Sequence, residues 1–225
     1  TPAFIEKLDV FSNKDQGKTV SIVNGTMQLM YYESLLQDSV MATVTFSDSG
    51  NSIDGKSAVE GLPIVTKEKV IFKIKDNNEE QIEFTFYVNE VTPVADQTTK
   101  GMVTLHLVSN EYHLNDEVRI NKRFDGKASE AVKEILTNFL ETEKDITDIE
   151  DSTEINGNCI PPQWKPYYAL NWLSTKCAPT DITPGKTAGF FFYETSKGYH
   201  FKSIDTLLGQ EKKKSIIYNE TPDSR

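Results

Sequence analysis

The stretch that decides the fold is residues 161–174, which read PPQWKPYYALNWLS and hold both tryptophans of the 225-residue chain. Proline lacks a backbone N–H and suits the first position of a helix, so Pro166 predicts a helix start. The residue before a proline avoids the helical conformation, so Ala178-Pro179 predicts the helix end. The sequence therefore predicts a helix over residues 166–178.

Two apolar stripes run along this predicted helix. The first is mainly aliphatic and suits packing on a sheet; it consists of Ala169, Leu170, Leu173 and Cys177. The second is aromatic and points elsewhere; it consists of Trp164, Tyr168 and Trp172. A surface helix normally has one apolar stripe and a polar back. The aromatic stripe is therefore a candidate interface with a neighbouring domain or subunit, and a large core with an aromatic rim is the alternative.

The C-terminal half carries two further predicted elements. Apolar residues recur at helical spacing over residues 128–141 and predict another helix. Residues 190–193 predict an aromatic strand, and residues 196–198 turn the chain into a second strand. We therefore expect residues 116–225 to form an α+β domain with two helices and an aromatic hairpin.

The N-terminal half shows the period-two alternation of strands instead. Apolar residues alternate with polar ones over residues 40–46, 70–74, 82–88 and 102–108. Closely spaced antiparallel strands with turn-rich connections imply a sandwich or a small barrel, and closure removes edges that invite aggregation. We expect residues 1–115 to form this domain. The predicted class is α+β, an antiparallel β-barrel or sandwich followed by a small two-helix α+β domain.

Three short segments have predictions of their own. Asn24-Gly25 predicts a hairpin turn between two neighbouring strands. Val118 and Ile120 predict one more strand. The acids of residues 141–151 are typical of a solvated charged linker.

Composition limits the partners. The formal net charge is −10, from 34 acidic against 24 basic residues. Nucleic-acid binders cluster Lys and Arg against phosphates, so we expect no specific nucleic-acid binding. We expect no membrane insertion, since no apolar run reaches the length of a membrane span, and the sequence shows no secretion leader. Cys159 and Cys177 are too few for a disulfide framework and are expected to be free, buried thiols.

No reactive centre is predicted. The three histidines, His106, His113 and His200, lie in no metal or nucleophile motif and are expected at the surface or rim. Residues 48–55 are rich in oxygen ligands but lack the spacing of a calcium loop. We therefore expect no catalytic residue, no metal and no cofactor. Glycosidases need only two carboxylates, so a hydrolase stays an alternative.

Several motifs together resemble one protein family. In chain order they are Gly61-Leu62-Pro63-Ile64, Phe124 to Val132 (FDGKASEAV), Trp164-x-Pro166-x-x-Ala169-Leu170-Asn171-Trp172-Leu173, Phe190 to Glu194 (FFFYE), and Gly198-Tyr199-x-Phe201-x-Ser203-Ile204. With this order and spacing the chain resembles the baseplate hub proteins of T-even-like contractile-tailed bacteriophages. The resemblance covers residues 20–208 approximately.

The resemblance implies a structural virion protein of the tail baseplate, made in the bacterial host cytoplasm. Such hubs form a homotrimeric ring from two similar barrels per subunit. The ring joins the tail-tube protein to the cell-puncturing spike protein and forms part of a conduit for DNA; related hubs serve type VI secretion spikes. Against that pattern we expect this chain to hold the first barrel and the α+β unit of a longer protein. The alternatives are a tail-associated cell-wall hydrolase and a host-receptor or carbohydrate-binding β module.

Overall fold

The computed structural model describes residues 4–14, 17–48, 56, 61, 64–75, 81–97, 100–155, 160–180, 189–211 and 215, with the backbone alone for 94–97 and 100. The strands are β1 (Phe4–Phe11), β2 (Thr19–Ser21), β3 (Thr26–Tyr32), β4 (Met41–Asp48), β5 (Lys69–Lys75), β6 (Gln81–Gln97), β7 (Lys100–Val108), β8 (Phe190–Thr195) and β9 (Gly198–Ser203). The helices are α1 (Asn110–Glu117), α2 (Ala128–Asn138), α3 (Pro166–Ser174) and α4 (Ile204–Leu208).

The strands form two antiparallel sheets. Seven strands pair in the order β2-β1-β5-β6-β7-β4-β3, and β8 pairs with β9 in a separate hairpin. Helices α2 and α3 share a buried core with the small sheet. The predicted α+β class is confirmed, and the strands predicted by period-two alternation correspond to β4, β5, β6 and β7.

The large sheet curls because its two edge strands leave from one short turn. Residues 22–25 alone separate β2 from β3, which lie at opposite edges of the sheet. In this turn the Ile22 N–H donates to the Leu8 carbonyl in β1, at 2.9 Å. Gly25 faces β4, and a Cβ at this position would lie 2.7 Å from the Ser47 carbonyl oxygen. Only glycine permits this approach, so the turn holds β1 near β4 and the sheet forms a half-barrel.

Aromatic and aliphatic side chains fill the inside of the half-barrel. Its buried core consists of Leu8, Val10, Ile22, Val40, Ala42, Val44, Phe46, Ile64, Val70, Phe72, Phe86, Val88, Val103, Leu105 and Leu107. Tyr31 in the edge strand β3 contacts Phe84 in β6, with ring centroids 4.8 Å apart. These strands are three places apart in the sheet order. The two rings can therefore meet only because the sheet curls, and their contact covers the core at the open side of the half-barrel.

Two local strand predictions are wrong. Val23–Gly25 forms a 3₁₀ turn, and the strands on either side pair with β1 and β4 instead of forming a hairpin with each other. The strand predicted at Val118 and Ile120 is absent from the described chain; α1 ends at Glu117, and Ile120 makes a single backbone bridge to Trp164. The two residues that α1 buries are polar, so apolar periodicity could not reveal this helix.

The C-terminal unit packs α2 and α3 against the β8–β9 hairpin. Its buried core consists of Ile120, Phe124, Ala128, Ala131, Val132, Ile135, Leu136, Leu140, Ile149, Ile155, Tyr167, Ala169, Leu170, Leu173, Cys177, Phe190, Phe192, Tyr199 and Phe201. Phe190 stacks on Phe201 and Phe192 stacks on Tyr199 along the hairpin. The aromatic residues of the hairpin therefore belong to a packed core.

The two predicted helices start where expected and end earlier. In α2 the Phe139 and Leu140 N–H groups both donate to the Ile135 carbonyl, and Glu141 has a positive φ of 46° that turns the chain away. In α3 the chain tightens into a 3₁₀-type turn after Ser174, where the Thr175 and Lys176 N–H groups donate three residues back. The domain boundary at residue 115 stays a prediction, and α1 spans it.

Polar contacts join the half-barrel to the C-terminal unit. The Ser39 and Ser109 hydroxyls lie 2.8 Å apart and are both buried. The Val40 N–H donates to Glu194 Oε2 in β8, at 3.0 Å. The segment between β3 and β4 therefore docks on the small sheet. No helix in the described part of the chain is long and apolar enough to cross a lipid bilayer.

Candidate functional site: an exposed aromatic surface

Helix α3 has a buried face and an open face. Its buried residues are Pro166, Tyr167, Ala169, Leu170, Leu173 and Ser174. A buried side chain of α1 caps the helix, since the Tyr167 N–H donates to Asn115 Oδ1 at 2.8 Å. On the open face Tyr168 is 58% exposed. The aliphatic stripe predicted from sequence is therefore the buried face, and the aromatic stripe lies outside it.

The structure brings the three aromatic residues of that stripe together. The ring centroid of Trp164 lies 4.9 Å from that of Tyr168, edge to face, and 5.5 Å from that of Trp172. A backbone bond fixes Trp164, whose carbonyl accepts from the Ile120 N–H at 2.8 Å. We call Trp164, Tyr168 and Trp172 the aromatic surface.

The aromatic surface is partly supported by the core and otherwise open. Trp164 and Trp172 are partly buried and pack against the core of the C-terminal unit, whereas Tyr168 does not belong to that set. In the single chain the three rings therefore form an aromatic rim. Packing by a second domain or subunit on the open side stays a prediction.

Basic side chains border the aromatic surface. The Lys176 ammonium lies 5.6 Å from the Trp172 ring centroid, a cation–π arrangement. Lys165 pairs with Asp116 at 2.6 Å. Because Asp116 balances the charge of Lys165, the positive charge beside the rings is that of Lys176.

A buried ionic cluster lies where the two units meet. The Lys144 ammonium lies 2.7 Å from Glu111 Oε2 in α1 and 2.5 Å from Glu194 Oε1 in β8. The Glu194 side chain is fully buried, Glu111 is nearly so, and Lys144 is about one third exposed. Thr142 donates to the second oxygen of Glu111 at 2.6 Å. One ammonium therefore serves two buried carboxylates.

The pKa values in this cluster follow from burial and charge. Burial is the largest influence on Glu194 and raises its pKa, although Lys144 opposes the shift. Burial is also the largest single influence on Lys144 and would lower its pKa, but Glu194 and Glu111 together outweigh it and raise the pKa. Lys144 is therefore held in its charged form.

A second polar chain crosses the hairpin. The Thr195 hydroxyl lies 2.7 Å from His200 Nε2, and His200 Nδ1 lies 2.6 Å from Asp148 Oδ2. This order of hydroxyl, imidazole and carboxylate is the order of a nucleophile, a base and its orienting group. The neighbouring amides are already engaged: the Ser196 N–H donates to Glu33 and the Lys197 N–H donates to the Thr195 hydroxyl. The arrangement therefore holds the turn and leaves neither amide to stabilise an oxyanion.

The acidic segment over residues 141–151 is not the solvated linker predicted from sequence. Ile149 is buried in the core and bridges Phe201 in β9. Glu150 accepts from the Ser203 hydroxyl and Asp151 from the Lys127 ammonium. The apolar contact and these bonds attach the segment to the hairpin and to α2. The charged composition of the segment gave no sign of this packing.

Beside this segment lies a cleft of about 390 Å³. Its lining includes Asp148, Glu150 and Lys202. Lys202 pairs with Asp148 at 2.5 Å, so these carboxylates already have partners inside the protein. Among the described residues, no group of three or more His, Cys, Asp or Glu side chains is arranged to hold a metal ion.

Comparison with solved structures shows where this fold occurs. A 43 kDa tail protein of prophage MuSo2 from Shewanella oneidensis aligns over 87% of this chain at a TM-score of 0.55 and 14% identity. The chain therefore shares its fold with the MuSo2 tail protein. The alignment spans 54% of the MuSo2 tail protein, so this chain corresponds to part of its length.

Two further alignments are weaker. A tail protein from Neisseria meningitidis MC58 aligns over 87% of this chain at 10% identity and a TM-score of 0.49, spanning 49% of that protein. An Escherichia coli component of the type VI secretion system aligns over 89% at 12% identity and 0.44, spanning 45%. Both scores are too low to add to the fold comparison. No protein-family model and no curated protein sequence matches the chain.

The structure also locates the remaining residues that the sequence analysis singled out. Cys177 is a free, buried thiol whose pKa burial raises to about 12; Cys159 and residues 49–55 lie outside the described part. His200 lies at the rim of the hairpin, as predicted. Its link to Thr195 and Asp148 was missed, because Asp148 lies 52 residues earlier in the chain.

Proposed function

We propose that this chain is a structural component of the tail baseplate of a contractile phage or a related injection apparatus. Within that apparatus it is a hub subunit that joins the tail tube to the cell-puncturing spike. The observation that carries the proposal is the fold shared with the MuSo2 tail protein over 87% of the chain. The hub-like motifs of the sequence support the finer assignment.

The proposed binding site is the aromatic surface. Aromatic side chains are enriched at the cores of protein interfaces, where they bury large areas at small entropic cost. Tyr168 leaves 58% of its surface in solvent, beside two partly buried tryptophans. A neighbouring domain or subunit of the tail would cover these rings and exclude water from them. Acidic groups of that neighbour would then lie against Lys176.

The net charge suits a proposed conduit. A channel that passes DNA must not hold it, and acidic side chains repel phosphate. The formal charge of −10 is therefore compatible with transit of DNA through a hub. This role is proposed for the assembled protein and needs other subunits to complete the channel.

The interface is tested by replacing Trp172 with Ala in the particle that encodes the chain. Truncating a central interface tryptophan typically weakens binding by about 2 kcal/mol or more, which is about 30-fold. We expect fewer complete tails, counted by negative-stain electron microscopy, while circular dichroism of the purified variant stays that of the wild type.

Leu208→Ala is the matched control, since Leu208 is 80% exposed in α4 and lies outside the aromatic surface. This variant should assemble complete tails in normal numbers. Normal assembly by Trp172→Ala as well would contradict the interface.

A cell-wall hydrolase is the second candidate, because Thr195, His200 and Asp148 follow the order of a nucleophile, a base and its orienting group, although the two neighbouring amides are engaged in the turn. A peptidoglycan clearing assay separates the two functions. The structural proposal expects no clearing by the wild-type chain. Clearing that His200→Ala abolishes, with the fold retained, would overturn the proposal in favour of the hydrolase.

A further inference from the structure

A second cleft lies between the half-barrel and the C-terminal unit, with a volume of about 290 Å³. The half-barrel contributes Val40 and residues 83–86 of β6, and the C-terminal unit contributes Lys144, Asp145 and residues 194–198. We call it the inter-unit cleft. Sites for whole small molecules usually enclose roughly 300–1,000 Å³, so this cleft suits a single side chain of a partner.

The inter-unit cleft has more carboxylates than ammonium groups. Its ionisable lining residues are three acids and two lysines, namely Glu83, Asp145, Glu194, Lys144 and Lys197. One of the two lysines, Lys144, is shared with a further acid outside the lining, Glu111. Buried charge is stable only when it is paired. A positively charged ligand would therefore improve the charge balance of the cleft.

Glu83 is the acid best placed to receive such a ligand. It is exposed on β6. Its neighbour across the sheet is Lys73 in β5, but the Lys73 ammonium pairs with Glu6 at 3.3 Å. Glu194, in contrast, is fully buried and already pairs with Lys144. An incoming cation would therefore pair with Glu83 first.

A hydroxyl without a partner lies beside the same cleft. The Tyr31 hydroxyl oxygen is buried, and no described atom stands in hydrogen-bond geometry to it. The Tyr31 ring contacts that of Phe84, which lines the cleft. Burial raises the pKa of Tyr31, Glu33 and Glu194 raise it further, and Ser196 lowers it, so the hydroxyl lies near the cleft. A buried polar group without a partner costs free energy, which a donor on a ligand would remove.

We propose that the inter-unit cleft binds an arginine side chain of a partner protein. A guanidinium group presents five N–H donors and no acceptor, so it suits a carboxylate and a hydroxyl together. It is weakly hydrated and stacks on aromatic faces, and Phe84 and Phe86 line the cleft. The two described arginines of this chain are engaged elsewhere, since Arg119 donates to backbone carbonyls and Arg123 pairs with Asp125. The arginine therefore comes from another protein.

Binding of N-acetyl-argininamide to the full chain, followed by NMR with ¹⁵N labelling, tests the site. The probe should shift the backbone amide signals of Ser196, Lys197 and Gly198, which line the cleft. N-acetyl-citrullinamide has nearly the same shape without the charge. Its dissociation constant should be at least about fivefold higher, the effect of losing one exposed ion pair.

Two conservative variants separate the contacts. Glu83→Gln removes the charge and should weaken binding of the arginine probe about fivefold. Tyr31→Phe removes only the hydroxyl and should weaken binding about threefold. The urea midpoint of Tyr31→Phe should not fall, because the free protein loses no hydrogen bond. Glu90→Gln is the matched control, since Glu90 is exposed on the same strand outside the cleft and this variant should bind as the wild type does.

Equal binding of the two probes, or undiminished binding by Glu83→Gln, would overturn the proposal. So would shifts confined to the aromatic surface, or no shifts up to the solubility limit of the probe. Tighter binding by Arg225→Gln would assign the cleft to the chain's own Arg225, which lies outside the described residues, and would overturn the assignment to a partner. The measurement needs no assembled tail, so the proposed function and this site can fail separately.

Discussion

At the scale of single residues, Lys144 pairs with two buried carboxylates. Its ammonium neutralises part of a site in which α1 and β8 each bury a carboxylate, and Glu194 also accepts the Val40 N–H of the half-barrel. A buried charge that loses its partner is strongly destabilising, whereas a surface pair contributes little. Lys144 therefore stabilises the charge of Glu194, the residue whose bond to Val40 joins the C-terminal unit to the half-barrel.

We expect Lys144→Met to lower the free energy of unfolding by about 3 kcal/mol at pH 8, the lower end for a broken buried pair because Lys144 is partly exposed. In the variant the buried Glu194 loses its cation, so its pKa, already raised by burial, rises further and the folded state is destabilised as pH increases. The deficit should shrink between pH 8 and pH 5, as one carboxylate takes up a proton. Urea unfolding at both pH values measures it.

Lys165→Met is the control, because Lys165 and Asp116 form a pair that is about half exposed on both sides. This substitution should lower the free energy of unfolding by less than about 1 kcal/mol at either pH. In the wild type the pKa of Lys144 is raised above 10.5. The charged ammonium therefore makes its full contribution to the free energy of unfolding below pH 10.5, and this contribution is lost only as pH rises through the raised pKa. Equal effects of the two substitutions would contradict the buried cluster.

At the scale of elements, the β8–β9 hairpin depends on one glycine. Gly198 has a φ of +130°, and a Cβ there would lie 2.2 Å from the Asp145 carbonyl oxygen. The same carbonyl accepts the Tyr199 N–H at 2.9 Å, so the hairpin cannot move away without losing a backbone bond. The turn therefore has both a conformational and a steric requirement for glycine.

Gly198→Ala should destabilise the chain by more than Gly17→Ala. Gly17 also has a positive φ, of +106°, but a Cβ added at Gly17 would meet no described atom within 4 Å. Backbone strain alone costs roughly 1–2 kcal/mol, and the collision with Asp145 adds to that cost. Chemical denaturation of the two variants measures the difference, and equal losses would show that the close approach is not important.

The elements differ in how far the sequence could predict them. Pro166 predicted the start of α3 correctly because proline's missing donor is a local property. The end of α3 is set by a tightening of the last turn, which no residue type signals. Helix α1 escaped prediction because it buries Glu111 and Asn115, whose partners Lys144 and Tyr167 are supplied by distant parts of the chain.

At the scale of the whole molecule, alternation predicted the strands but not the curl of the sheet. The curl depends on the approach of Gly25 to Ser47 and on the contact of Tyr31 with Phe84 across the opening. The ionic cluster was equally hidden, because 33 residues separate Lys144 from Glu111 and 50 separate it from Glu194. The aromatic surface was predictable, because its three residues lie within nine consecutive positions, in helix α3 and just before its start.

The most direct test of the structural role is the position of the chain in intact particles. Antibodies raised against the purified chain and coupled to gold can be applied to isolated tails and viewed by negative-stain electron microscopy. We expect gold at the end of the tube that carries the spike, and no label along the tube or sheath. Label distributed along the tail, or tails without label while the free protein is abundant in the lysate, would contradict the account.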